Sequence, residues 1–232
     1  YTQSAFAAPP VELAKTREAK SRVWVINSGN ANAATGEPGR HDAEQICACV
    51  ADQLAGVDAT QVQPFSTGVI GERLNVPLLQ QAAQKSTVEL KPDGWLAAAK
   101  AIMTTDTVAK LVSRRVTLST GDVVITGMAK GSGMIKPDMA TMLAFVACNA
   151  KVAPHLMPVL TKELADQSFN RISVDGDTST NDCFMLAATG VSDTAEIDSL
   201  GHKDFPALLA GLSEVVQHLA QAIVRDGEGA TK

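Results

Sequence analysis

Cysteine is sparse in this 232-residue chain, and no two cysteines are spaced for chemistry. There are four, Cys47, Cys49, Cys148 and Cys183, with no Cys-x-x-Cys among them. Cys47 and Cys49, two apart in a helical pattern, point in different directions and are poorly placed to chelate together. The four histidines are isolated. Neither a disulfide framework nor a zinc site follows, so no metal is expected; buried free thiols in a reducing compartment are the plain reading. Positive charge is also short: 20 Lys and Arg against 25 Asp and Glu leave a net charge of -5. The basic residues are scattered, with no patch of interleaved aromatics, which argues against a nucleic-acid partner. No uninterrupted apolar run approaches the roughly 18 residues of a membrane helix, so no membrane partner is expected. No secretory signal is visible either, but the chain begins at Tyr1 without an initiator methionine, so that absence excludes nothing. Nor is there a Gly-x-Ser-x-Gly elbow or a His-Glu-x-x-His helix, which removes support for a serine hydrolase or a zinc hydrolase.

What is there is a globular composition, 45% apolar with a mean hydropathy of +0.05. The length fits one large domain or two small ones. A β-type run at Arg22–Asn27 delivers a turn-rich Asn/Gly/Ser cluster over 27–36, and a helix is expected from about His41 to Leu54. Pro64–Gly71 reads as loop or strand end. Helical patterns return over Val76–Leu90 and Trp95–Met103, the latter with Asp93 as expected N-cap. Arg115–Leu118 and Val123–Met128 predict a hairpin turning at Thr120-Gly121-Asp122. Buried strands are expected over Thr141–Cys148 and Phe184–Ala188, and amphipathic helices over Pro154–Ser168 and Phe205–Val224. Without a regular βαβ alternation, the expected fold class is α/β, a layered sandwich of mixed sheets and helices.

The chemistry concentrates in Lys130-Gly131-Ser132-Gly133-Met134-Ile135-Lys136-Pro137-Asp138-Met139-Ala140-Thr141-Met142-Leu143. A loop of small residues runs into an apolar strand with a threonine at the join. If the Ala140–Thr141 bond breaks, Thr141 gains a free α-amine beside its hydroxyl, and that amine can act as the base that activates it. An α-amine titrates near pH 8, close to working pH. Alone, Thr141 would be a threonine that suits a strand start. The Gly-Ser-Gly loop is not a phosphate loop, because the Walker spacing is absent and Lys136 stands where a dinucleotide loop has its third glycine. Asp175-Gly-Asp177-Thr-Ser-Thr-Asn181-Asp182 fails as a calcium loop: Thr180 replaces the required glycine and Leu186 the bidentate glutamate. It is expected to be a turn whose side chains satisfy backbone groups.

The 130–143 segment resembles the self-processing site of the ornithine acetyltransferases, the glutamate N-acetyltransferases of arginine biosynthesis. Five more segments resemble the same family, in family order: Asn27-Ser-Gly-Asn-Ala-Asn-Ala33, Ser66-Thr-Gly-Val-Ile-Gly71, Met103-Thr-Thr-Asp-Thr107, Val174–Asp182 and Asp226-Gly-Glu-Gly-Ala-Thr-Lys232. The resemblance implies a sandwich whose nucleophile begins an inner strand. It implies that Thr141 attacks the Ala140 carbonyl, divides the chain into 1–140 and 141–232, and then carries acetyl from N2-acetyl-L-ornithine to L-glutamate by a ping-pong route. Thr67 and Gly68 match the family's oxyanion positions; Thr107, Lys130, Thr141 and Glu228 match its substrate contacts. Lys130 would hold a substrate carboxylate, its plain alternative being a solvated strand-end lysine; Glu228 would hold an ammonium and, without the family match, would read as solvated. No cofactor is implied, although some members also use acetyl-CoA. The implied partners are the chain's own cleaved pieces, as paired heterodimers, and the implied location is cytoplasmic, or mitochondrial in a eukaryote. The family's Asn-Ala-Cys-Thr-Gly stands here as Asn32-Ala33-Ala34-Thr35-Gly36. Members extend before Tyr1 and beyond Lys232, so this chain is expected to be a fragment without the family's C-terminal domain. A related N-terminal-nucleophile amidase or aminopeptidase, or an inactive fragment with a structural role, are the alternatives.

Overall fold

The computed structural model describes residues 1–136 and 142–230. Those residues form two compact units, Tyr1–Thr104 with Ser179–Asp182, and Thr105–Thr178 with Cys183–Lys232.

The first unit opens with helix α1, Pro9–Arg17, which was not expected from the sequence. Proline at its first two positions presets helical φ and removes N–H groups that would lack partners there. Strand β1, Val23–Asn30, leads into helix α2, Gly36–Asp52, and then strand β2, Val62–Val69. The two strands pair in parallel, with Ile26 opposite Phe65 and Ser28 opposite Thr67, so β1, α2 and β2 make a βαβ unit. Of the two readings of Pro64–Gly71, loop or strand end, the structure has the strand end. Proline and glycine weaken a strand signal, but here the segment is buried from Val62 to Thr67, and burial overrides propensity. Helices α3, Val76–Val88, and α4, Trp95–Ala101, follow. Asn75 caps α3 by accepting the Leu78 N–H at 3.2 Å. Asp93 does not cap α4: Gly94 occupies the N-cap without a side-chain bond, and Asp93 faces Lys91 at 3.7 Å. Cys47, Val50, Ala51, Val62 and Ala83 pack together between α2, β2 and α3.

The second unit is a four-stranded mixed sheet in the order β3, β4, β5, β6, with ranges Lys110–Leu118, Gly121–Lys130, Leu143–Cys148 and Cys183–Ala188. The first two junctions are antiparallel and the last is parallel. The hairpin turns at Ser119-Thr120, one residue earlier than expected, and Asp204 accepts the Ser119 N–H at 2.8 Å and its hydroxyl at 2.7 Å. Pro154–Leu156 forms a tight 3-10 turn before helix α5, Met157–Gln167; helix α6 runs Phe205–Arg225. One sheet face carries Val123, Ile125, Ala129, Ala144 and Val146 into a single core with Leu160, Leu164, Leu212, Val215 and Leu219 from the helices. Alternation sends Met128, Lys130, Leu143 and Phe145 to the other face, where all four are buried. Helix α6 is long and apolar enough to cross a membrane by composition, with a mean hydropathy of 1.4. Nine of its residues are nevertheless buried against this core, as in a core helix.

Gly127 lets α6 lie close to the sheet. A Cβ there would come within 2.9 Å of Val146 Cγ2 and Val215 Cγ1 and within 3.0 Å of Leu219 Cδ1. Gly127→Ala is therefore expected to overpack this contact and lower stability by about 1–3 kcal/mol. Urea unfolding would show the midpoint falling at constant slope.

Candidate active site

In the first unit the predicted oxyanion residues sit at the end of β2. Thr67 is buried at 3% exposure, and Gly68 is exposed on the strand's last turn. Gly68 has φ +129°, and a Cβ there would lie 2.3 Å from the Gly29 carbonyl carbon, so the parallel neighbour leaves room for glycine only. The Asn-rich end of β1 and the residues just after it are tied to this strand end by side-chain amides. Ser66 Oγ donates to Asn27 Oδ1 at 2.6 Å, and Asn27 Nδ2 donates to the Asn30 carbonyl at 2.8 Å. Asn181 Nδ2 donates to the carbonyls of Ala31 at 2.6 Å and Ser66 at 3.0 Å. The polar turn over 174–182 thus satisfies backbone groups, as expected of it. Ala34, which replaces the family's cysteine, is exposed at φ +58°, so the replacement does not alter core volume. A groove between α2 and α3, lined by Gln45, Cys49, Gln80 and Gln84, holds none of the predicted residues.

In the second unit a cluster not expected from the sequence links Thr107 to Asp226, two residues before Glu228, and to Gly131, the residue after Lys130. The Lys110 side chain is 1% exposed, and its ammonium lies 2.7 Å from Asp106 Oδ1 and 2.6 Å from Asp226 Oδ2. Asp106 Oδ1 also accepts the Gly131 N–H at 2.7 Å, the residue after Lys130. Asp226 accepts the Thr107 N–H at 3.0 Å and the Thr107 hydroxyl. Two residues on, the Glu228 N–H donates to the Ser132 carbonyl at 2.6 Å, and Ser132 Oγ pairs with Thr105 Oγ1 at 2.7 Å. The Glu228 carboxylate lies over Gly133, where a Cβ would meet its oxygens at 2.9 Å. So Glu228, although exposed, is seated on the loop, and Lys130, at 3% exposure, is not a solvated strand-end lysine. Asp106 and Asp226 lie inside recognisable motifs, but Lys110 lies outside them. The four-residue spacing from Asp106 to Lys110 suggests a helix pair, whereas Lys110 begins strand β3.

The loop leading to Thr141 is gripped at two points. Besides Asp106 at Gly131, Asp175 accepts the N–H groups of Met134 and, at 2.8 Å, Ile135. Met134 has φ +57°, a left-handed conformation that costs a non-glycine residue of order 1 kcal/mol and here is held by that carboxylate. Thr141 and Ala140, the predicted nucleophile and cleavage partner, lie outside the described residues.

Electrostatics follow the same contacts. Burial acts to raise the Asp226 pKa, but the Lys110 ammonium and the Thr107 hydroxyl and N–H outweigh it and hold the carboxyl below its ordinary range. Asp175 is likewise lowered, with burial opposed by the N–H groups of Asp177, Met134 and Ile135. Burial pushes the Cys47 and Cys148 thiols up to about 11, which keeps them protonated and unreactive. Among the described residues no group of three His, Cys, Asp or Glu side chains is placed to hold a metal ion.

Fold and site together define a mixed α/β protein in which a clamped loop of small residues precedes a central strand. The chain belongs to the ArgJ family, whose model matches residues 1–232. It is 51% identical to the arginine biosynthesis bifunctional protein ArgJ of Psychrobacter arcticus and 50% identical to that of Pseudomonas syringae pv. tomato, in each case over 100% of this chain and 57% of the relative. The chain thus spans little more than half the length of these curated relatives. Among solved structures it resembles ArgJ of Bacillus halodurans, with a TM-score of 0.54 and 35% identity over 60% of this chain and 74% of that one. It also resembles an ornithine acetyltransferase of Mycobacterium tuberculosis complexed with ornithine, with a TM-score of 0.50 and 32% identity over 59% of this chain and 74% of that one. The α/β class with mixed sheets expected from the sequence is the class of these structures.

Because its pKa is lowered on folding, Asp175 contributes stability that is present above the ordinary carboxylate value near 4 and lost as pH falls through its folded value. Asp175→Asn should therefore show a smaller loss of Tm than wild type between about pH 5 and pH 3. In the same variant, hydrogen exchange at the Met134 and Ile135 amides should be faster at neutral pH.

Proposed function

We propose that this chain is part of a glutamate N-acetyltransferase that cleaves itself between Ala140 and Thr141 and then moves acetyl from N2-acetyl-L-ornithine to L-glutamate. The observation that carries this reading is the unbroken family match over 1–232, in a chain that retains the Ala140-Thr141 junction behind its clamped loop. In the proposed cycle the Thr141 α-amine takes the hydroxyl proton as Oγ attacks the acetyl carbonyl. Collapse of the tetrahedral intermediate breaks the bond to the ornithine α-nitrogen, which takes up the proton and leaves. The acetyl-threonine ester is then attacked by the glutamate α-amine, and the Thr141 hydroxyl is regenerated with release of N-acetylglutamate. Thr67 and the Gly68 N–H are proposed to hold the negative oxygen of each intermediate. Lys130 would hold the α-carboxylate shared by both substrates, Glu228 the side-chain ammonium of ornithine, and Thr107 a further polar contact. No cofactor takes part in this transfer. The curated relatives are named bifunctional. A second activity, acetylation of glutamate from acetyl-CoA, is proposed on that support. The proposal extends to cleaved pieces, 1–140 and 141–232, that stay together and pair as heterodimers, completed by a C-terminal domain. Its place of action is the cytoplasm, or the mitochondrion in a eukaryote.

Mass spectrometry and N-terminal sequencing of the full-length protein test the first step. The product that follows the cut should begin Thr-Met-Leu-Ala-Phe, and Thr141→Ala should leave one folded, inactive chain. Absence of a cut in the complete protein would sink the mechanism. Release of acetate without any need for glutamate would point instead to an amidase.

Two substitutions grade the remaining roles. Thr67→Ala should slow both cleavage and transfer, yet less than Thr141→Ala, because a backbone donor remains; the loss of one such donor is worth roughly 10²–10³ in kcat. Lys130→Met should lower kcat/KM for both substrates by roughly tenfold to a few hundredfold, as expected for a lost charge-assisted hydrogen bond. An unchanged kcat/KM in the processed Lys130→Met enzyme would place the carboxylate anchor elsewhere.

A further inference from the structure

The Thr107 hydroxyl has one proton, and that proton is directed at Asp226. A hydroxyl carries one donor and two acceptor sites, so a Thr107 whose proton is committed can offer a substrate only lone pairs. The commitment is enforced. Asp226 is held in its charged form by Lys110 at 2.6 Å, and as a carboxylate it can only accept. Its grip on Thr107 is doubled by the Thr107 N–H at 3.0 Å. Lys110 is in turn held in place by Asp106 at 2.7 Å, with its side chain 1% exposed. Thr107 itself is exposed, so its remaining lone pairs are reachable.

We propose that Asp226, charged and fixed by Lys110, is a positioning residue that sets the polarity of Thr107, making it an acceptor for an N–H donor of the amino-acid substrate and not a donor to its carboxylate. This rests on the proposed role of Thr107 as a substrate contact. Asp226 touches no substrate; it acts through Thr107. An asparagine at 226 would present an amide that can itself donate to the Thr107 oxygen and occupy the lone pair the substrate needs.

The test uses the full-length protein, with steady-state kinetics on N2-acetyl-L-ornithine and calorimetry with L-ornithine. Asp226→Asn should raise KM and the L-ornithine Kd by roughly tenfold or more while kcat changes little, the signature of lost ground-state binding. Thr107→Val should show the same rise and Thr107→Ser should bind as wild type does. The double variant Asp226→Asn/Thr107→Val should be no weaker than Thr107→Val alone, because the two act as one unit. An unchanged KM and Kd in Asp226→Asn, or effects of the two variants that multiply, would overturn the proposal. If Asp226→Asn does not fold, the Thr107 pair decides: a valine variant that binds like wild type overturns it, and a weakened valine with an intact serine supports it. A wild-type protein that neither transfers acetyl nor binds L-ornithine overturns the functional reading and this proposal together. A wild type that binds alongside variants that bind equally overturns this proposal alone.

Discussion

The second unit depends on one buried cation. Lys110 is almost fully enclosed, and a buried ammonium is tolerable only when it is paired and hydrogen-bonded. Two carboxylates compensate it, and because they carry one more charge than it does, they need donors of their own. The Gly131 N–H supplies one to Asp106, and Thr107 supplies two to Asp226. Asp226 also caps the C-terminal end of α6, where the helix dipole disfavours an anion. Lys110 makes the position tenable. A single ammonium therefore joins the segment after Thr104, the start of the small-residue loop and the end of the last helix. Loss of Lys110 would leave two buried carboxylates without their counter-charge, which is far costlier than loss of an exposed pair.

The loop held by that cluster is unusual in having little side chain of its own. Gly131, Ser132 and Gly133 cannot pack themselves into place, so their geometry comes from groups outside the loop. Asp106 acts at one end and Asp175 at the other, and Asp175 also fixes a left-handed residue, Met134. The Glu228 backbone and carboxylate close over the middle. Small residues are what such an arrangement needs, since a side chain at Gly133 would displace the carboxylate seated there. The cost of holding the backbone in this form is met by hydrogen bonds to charged acceptors, which are the stronger kind.

In the fold, the legible parts were those whose signal is local. Helix α6 and strands β5 and β6 show the periodicity or the apolar run that their burial demands, and each was expected within a few residues. Strand β2 is legible only as loop or strand end because Pro64 and Gly68 carry turn chemistry. Their fit in a strand depends on a parallel neighbour, β1, more than thirty residues away. Helix α1 was missed because nine residues beginning Pro-Pro carry little periodic signal; the helix is held by packing of Val11, Leu13 and Ala14. The division into two units leaves no trace in composition, since the chain crosses at Thr104–Thr105 without a linker and returns for four residues at Ser179–Asp182.

The sequence by itself determined the family, the α/β class and the motifs that carry the candidate site, because these rest on residue identity and order. It also nominated Thr107, Lys130 and Glu228, with a solvated side chain as the plain alternative for the latter two. Only the tertiary structure decided that Lys130 is buried, that Glu228 is seated on Gly133, and that Lys110 couples Asp106 to Asp226. The reason is physical. A charge is cheap or costly according to its distance from water and from its counter-charge, and the distance between Lys110 and Asp226 is set by the path of the chain across a sequence separation of 116 residues.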